Sequence, residues 1–128
     1  KEVIDDSTAI VSKIKKVVIC SGKFYYDLVE YYETLKLENI AFIRLEQLYP
    51  FPDLQLRAIV DKYGKECKYL WVQEEPENMG PWSYILRKWK HSKITCFSRE
   101  ESGSPASGSP KVFERRHQEI INKVMSYS

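Results

Sequence analysis

Residues 68–82 read Lys68-Tyr69-Leu70-Trp71-Val72-Gln73-Glu74-Glu75-Pro76-Glu77-Asn78-Met79-Gly80-Pro81-Trp82. After its opening lysine the run is continuously apolar through Val72, the pattern of a strand buried on both faces. An amide, three carboxylates and a Gly-Pro turn follow. Trp82, Ile85, Leu86 and Trp89 then recur at i, i+3, i+4 and i+7, which is one face of a helix. A strand thus gives way to a helix across a polar turn. In open α/β sheets ligands and partners dock outside the carboxyl ends of the strands, so this turn marks a candidate recognition edge.

The same alternation extends in both directions. Upstream, Lys16-Val17-Val18-Ile19-Cys20 predicts a buried strand ended by Ser21-Gly22. Tyr25, Leu28, Val29 and Tyr32 then form an apolar stripe that predicts a helix over about 23–36. Ile40-Ala41-Phe42-Ile43-Arg44-Leu45 reads as the next strand, broken by Tyr49-Pro50-Phe51-Pro52 because proline cannot donate to a ladder. Pro52 suits the first turn of a helix carrying Leu56, Ile59, Val60 and Tyr63 and stopping at Gly64. Downstream, Lys93-Ile94-Thr95-Cys96-Phe97 predicts a short strand, and a last helix carries Phe113, His117, Ile120, Ile121 and Val124 on one side. Residues 1–14 show no period and read as an extended segment leading in from something upstream; 15–128 form the domain. Strands alternating with helices predict the α/β class, a three-layer α/β/α arrangement around a mostly parallel sheet.

Composition narrows the function classes. At 128 residues, 43% apolar, the chain suits one domain with a real core. Twenty Lys+Arg against eighteen Asp+Glu give a formal charge of +2, far from the one-sided basicity of a nucleic-acid binder, so nucleic acid is set aside. No stretch approaches the roughly 18 consecutive apolar residues of a membrane span. The first residues lack a signal-peptide pattern, and a first residue other than Met suggests a piece of a longer polypeptide. Cys20, Cys67 and Cys96 are odd in number and contain no C-x-x-C pair, which fits a reducing compartment.

If the strands are parallel, four strand ends meet on one edge: Ser21-Gly22-Lys23, Glu46-Gln47, Gln73-Glu74-Glu75 and Ser98-Arg99. Interface or anion-binding candidates are therefore Lys23, Arg44, Glu46, Gln73, Glu74, Glu75, Asn78 and Arg99. Adjacent carboxylates repel, so the acidic turn calls for a basic partner, with Lys23, Arg44 and Arg99 the candidates. Ser21-Gly22-Lys23 invites a phosphate-loop reading, but the earlier glycine is missing and Phe24 stands where the magnesium-binding Ser/Thr would be. His91 and His117 lie far from any nucleophile or orienting group in sequence, and the Cys and His spacings fit no zinc pattern. No catalytic, cofactor-binding or metal residue is assigned.

Three motifs add a family resemblance. Cys20-Ser21-Gly22-Lys23-Phe24-Tyr25-Tyr26-Asp27-Leu28, Ile43-Arg44-Leu45-Glu46-Gln47-Leu48-Tyr49-Pro50-Phe51-Pro52 and the run Trp71–Trp82 resemble, in order and spacing, the C-terminal domain of the 2-oxoglutarate dehydrogenase first component. The likeness runs from about Lys15 to the end. Arg99 followed by Ser104-Pro105-Ala106 and Gly108 resembles a further family segment, with Glu100 where proline is common; this argues against reading Ser102–Pro110 as a flexible linker. Phe113 stands where many members carry a histidine, so that histidine's role is not carried over.

The resemblance implies a transketolase-type C-terminal domain of a homodimeric, thiamine-diphosphate-dependent oxidoreductase of the tricarboxylic acid cycle. The intact subunit is expected to use thiamine diphosphate and magnesium to convert 2-oxoglutarate to CO2 and a succinyl group, passed to the lipoyl-bearing second component, a succinyltransferase. The cofactor motifs belong to upstream domains, so this part holds no cofactor and is expected to scaffold an interface without turnover of its own. Expected partners are those upstream domains, the homodimer partner and the lipoyl-bearing component. A bacterial cytoplasm or a mitochondrial matrix fits. The competing expectation is a regulatory domain binding an anionic metabolite, such as acyl-CoA or a nucleotide, at Lys23, Arg44 and Arg99.

Overall fold

The computed structural model describes residues 2–99 and 110–127. The Ser/Gly run and its Glu100 to Gly108 resemblance lie outside the described residues, as does the side chain of Phe113. The elements in chain order are β1 (Val3–Ile4), a 3-10 turn (Val11–Lys13), β2 (Lys16–Cys20), α1 (Gly22–Leu35), β3 (Ile40–Leu45), α2 (Asp53–Tyr63), β4 (Lys68–Pro76), α3 (Trp82–Lys88), β5 (Ile94–Arg99) and α4 (Pro110–Ser126). The sheet runs in the order β1-β3-β2-β4-β5. β2 pairs in parallel with β3 and β4, and β4 in parallel with β5; only β1 is antiparallel, with Val3 opposite Leu45 and Ile4 opposite Arg44. This is the three-layer α/β/α fold with a mostly parallel sheet.

Alternation along the central strands sorts the core into two halves. Val17, Ile19, Ala41, Ile43, Tyr69 and Trp71 face α2 and α3, against Leu56, Ile59, Val60, Ile85 and Trp89. Val18, Cys20, Phe42, Leu70 and Val72 face α1 and α4, against Phe24, Leu28, Ile120, Ile121 and Val124. The chain steps one way from β2 to β3 and the other way from β3 to β4, so right-handed crossovers must put α1 and α2 on opposite faces. β2 and β4 are therefore the strands between which the connection changes direction, where an open sheet leaves a crevice at its carboxyl end.

Several local expectations shift. Residues 2–14 are folded onto the sheet: β1 extends its edge, and Val3 and Ile14 enter the core. A two-residue strand is too short to show a period. α1 is rotated from the expected stripe, with Phe24 and Leu28 buried while Tyr25, Val29 and Tyr32 are only partly covered. On α3, Leu86 is 52% exposed, because Trp82, Ile85 and Trp89 supply the buried face of so short a helix. Pro52 is the N-cap of α2, and Gly64 ends that helix at φ +93°, its N–H on the Val60 carbonyl at 2.7 Å.

Candidate functional site at the strand-end crevice

Parallel pairing brings the carboxyl ends of β2, β3, β4 and β5 to one side, and with them Lys23 at the start of α1, Arg44, Glu46, Gln73, Glu74, Glu75 and Arg99. Asn78 lies exposed in the turn that follows. Of Lys23 only the backbone is described. The side chains divide into three separate arrangements.

The first is built by Gln73, which is 4% exposed and turned inward. Its Oε1 accepts from Trp71 Nε1 at 2.9 Å and from the Trp82 backbone N–H at 3.0 Å. Its Nε2 donates to the carbonyl oxygens of Glu75, Pro76 and Met79 at 3.1, 2.9 and 2.8 Å. One amide thus joins the strand, the acidic turn and the first turn of α3, satisfying groups that would be costly to bury unpaired. Gly80 closes this turn at φ +66°, and the Glu75 side chain lies over it.

The second arrangement is centred on His117. β4 does not stop at Val72 but runs through Pro76, so Glu74 and Glu75 point to opposite faces of the sheet. They are therefore not the repelling pair expected of a turn. Glu74 points to the α1 and α4 side, where its Oε1 lies 3.6 Å from His117 Nδ1. The other ring nitrogen, Nε2, is 2.8 Å from Asp27 Oδ2 on α1, and Phe24 stacks on the imidazole with ring centroids 4.3 Å apart. The imidazole thus joins α4 to α1 through Asp27, with Glu74 of β4 beside its other nitrogen, at the crevice between β2 and β4. His117 stood in the sequence as a polar residue in an apolar stripe, and Asp27 is 90 positions away. His91 likewise finds a distant carboxylate, Asp53 Oδ1 at 2.9 Å, away from this crevice.

Arg44 forms the third. Its Nε lies 2.9 Å from Glu46 Oε1 without an aligned N–H, so the contact is a charge pair rather than a directed hydrogen bond. A terminal nitrogen donates to the Tyr26 hydroxyl, and the guanidinium sits 5.2 Å from the Tyr25 ring centroid. Among the described residues no ion pair joins Glu74 or Glu75 to Arg44 or Arg99; Glu74 lies instead beside the His117 ring. Among the described residues no group of three His, Cys, Asp or Glu side chains, the His117 cluster included, is placed to hold a metal ion.

The fold and this edge define a three-layer α/β/α domain whose polar groups gather at the carboxyl ends of parallel strands. Residues 1–125 match the family described as 2-oxoglutarate dehydrogenase C-terminal. The chain is similar to the oxoglutarate dehydrogenase of Buchnera aphidicola, 37% identical over 100% of this chain and 15% of that protein. The 2-oxoglutarate dehydrogenase E1 component of Rickettsia typhi is 38% identical over 96% of the chain and 14% of that protein. The 2-oxoadipate dehydrogenase complex component E1 of Mus musculus is 36% identical over 98% of the chain and again 14% of that protein. This chain belongs to the 2-oxoglutarate dehydrogenase C-terminal family. It spans only the stated 14–15% of the length of these relatives. The match takes in residues 1–14, which the motifs had not covered.

Proposed function

We propose that this chain is the C-terminal domain of a decarboxylating first component that acts on 2-oxoglutarate, and that the domain supplies an interface rather than chemistry. The observation that carries this reading is the family match over residues 1–125. The intact subunit would release CO2 and pass a succinyl group to a lipoyl-bearing second component, as a homodimer in a bacterial cytoplasm or a mitochondrial matrix. A relative named for 2-oxoadipate is nearly as similar as those named for 2-oxoglutarate. The longer dicarboxylic acid is therefore the second substrate to assay.

Thiamine diphosphate and magnesium would supply the carbanion chemistry of such a subunit. Among the described residues of this chain no group of His, Cys, Asp or Glu is placed to hold a metal ion, so they do not fit that group, and no step is derived through it. What they offer is a rim set in place beforehand. Gln73 fixes the acidic turn, Glu74 lies against His117, and Glu46 pairs with Arg44, which leaves Glu75 and Asn78 exposed on a braced edge. A braced rim loses little freedom when a neighbouring domain docks on it. The regulatory alternative would need Arg44 to leave Glu46 and Tyr26 before it met an anion.

The test is Glu75→Gln combined with Asn78→Ala in the full-length subunit. Weaker dimerisation by sedimentation or slower release of CO2 from 2-oxoglutarate, with an unchanged melting temperature of the 128-residue chain, is the expected result. Unchanged assembly together with unchanged turnover overturns the interface role.

A further inference from the structure

A cavity of about 590 Å3 lies between residues 4–10 with Ile14 on one side and α1, the turn after it and β3 on the other. This is the size range of sites that hold a small molecule or a few residues of peptide. It borders the strand-end edge at Tyr25, whose ring the Arg44 guanidinium faces at 5.2 Å, and among the described residues no Lys, Arg or His lines it. Its floor is apolar, from Val29, Ile40 and Phe42, and the rings of Tyr25 and Tyr32 stand in its wall. Four carboxylates reach it. Two of these are already matched: Asp5 pairs with Lys62, and Glu38 with Lys13 at 2.6 Å. Asp6 and Glu33 have no cation within ion-pair distance among the described residues.

Asp6 is held in place by neutral donors alone. Its Oδ1 accepts from the backbone N–H and the hydroxyl of Thr8 at 2.9 and 2.7 Å, and its Oδ2 from the Phe42 N–H at 3.1 Å. The carboxylate is oriented, with no ion pair to it among the described residues. It is close enough to both phenols for its charge to oppose their ionisation, after burial, the larger cause. An apolar floor, two aromatic rings and an uncompensated carboxylate suit a long aliphatic stem that ends in a cation. At the mouth Ile10 and Leu37 are 49% and 48% exposed, which gives apolar ground on either side of such a stem.

We propose that this cavity receives a lysine or arginine side chain presented on a polypeptide, with apolar neighbours of that side chain resting on Ile10 and Leu37. The apolar mouth favours a protein segment over a free polyamine, which has nothing to place there. Charge complementarity carries the choice: an acidic, aromatic-walled groove on a chain whose formal net charge is +2. Tyr25 is shared with the strand-end edge, but the proposal does not rest on the role assigned there.

The test is an amide-resolved NMR titration of the chain with the blocked tripeptide Leu-Arg-Leu. Its controls are the same peptide with norleucine for arginine, and spermidine. Saturable shifts at Thr8, Val29 and Phe42 are expected, with the norleucine peptide weaker by about tenfold, as loss of the charge from a partly desolvated site implies. Glu33→Lys, an exposed change that leaves the remaining spectrum in place, should weaken the arginine peptide by a similar factor. Equal binding of the norleucine peptide, tighter binding of spermidine at the same amides, indifference to Glu33→Lys, or no saturable shift would each overturn the proposal. The strand-end interface would be untouched by any of them.

Discussion

Lys16, the first residue of β2, reaches the end of α4, where its ammonium donates to the Tyr127 carbonyl oxygen across 2.7 Å. It also donates to the carbonyls of Val124 at 2.5 Å and Met125 at 3.3 Å. The last carbonyls of a helix have no partner within it and carry the negative end of its dipole, so one buried lysine both satisfies and neutralises them. Burial lowers the affinity of this amine for its proton, yet the three acceptors are what a protonated amine requires.

Replacing Lys16 by Met keeps the stem and removes all three donors. Unfolding in denaturant should occur earlier, with a loss of about 2–4 kcal/mol, the range for charge-assisted hydrogen bonds whose partners stay buried. Hydrogen exchange should rise first in residues 120–127. An unchanged midpoint would show that the end of α4 is held by its apolar face alone.

Gly80→Ala sets two costs against each other. A Cβ there meets Glu75 Oε2 at 2.7 Å, and φ is +66°. The severe part of the clash falls on the carboxyl end of a flexible side chain, with the Glu75 Cβ a tighter neighbour at 3.1 Å, whereas the backbone cost of about 1–2 kcal/mol is intrinsic to an L-residue in this region. Adding Glu75→Ala should restore only part of the lost stability. Full restoration in a double-mutant thermal melt would assign the whole effect to the clash.

Asp5 ties the N-terminal arm to α2, accepting from Lys62 and from the Tyr63 hydroxyl at 2.8 Å. Burial raises its pKa, but the hydrogen bonds from Lys62, Tyr63 and the Asp6 N–H outweigh this and leave it below the usual aspartate value. A depressed carboxyl pKa stabilises the fold above the unfolded-state value of about 3.9 and ceases to do so as pH falls through the folded-state value. Asp5→Asn should therefore lower the melting temperature at pH 7. The difference from the parent chain should shrink as pH drops below about 4. A gap that stays constant down to pH 2 contradicts this coupling.

The thiols are predicted to be slow nucleophiles. Burial pushes Cys20 up to about 12, against a smaller pull from the Arg44 charge, and pushes Cys96 up to about 11; Cys67 is raised by burial as well. Since the thiolate is the reacting form, iodoacetamide at pH 8 should label the folded chain far more slowly than the chain in guanidinium. Cys20, which is fully buried, should be labelled last. Peptide mapping that finds Cys20 modified ahead of Cys67 would refute this order.

How much could be read from the sequence varied with the kind of contact. β2 and the first half of β4 are continuous β-branched and aromatic runs, which have few alternatives to a doubly covered parallel strand. That pairing alone places Arg44, Glu74 and Arg99 at one end of the sheet. The extension of β4 through Glu74 and Glu75 was hidden, because their side chains resemble a turn and only the β5 ladder makes them strand. The inward turn of Gln73, the bond from Lys16 to α4 and the meeting of His117 with Asp27 depend on which helix lands on which face. No local period encodes that. Tyr25 and Phe24 also show that an aromatic-rich helix permits more than one apolar stripe, and packing chooses between them.

β1 covers only Leu45 and Arg44 on the outer rail of β3. Just beyond it, Asp6 occupies the Phe42 amide that a further strand would have used. Exposed rails of this kind recruit other chains and seed aggregation, and a fixed negative charge is an effective deterrent. Asp6→Ala should therefore do more than slacken the arm: it should open a template for intermolecular β-pairing and make the protein prone to form fibrils.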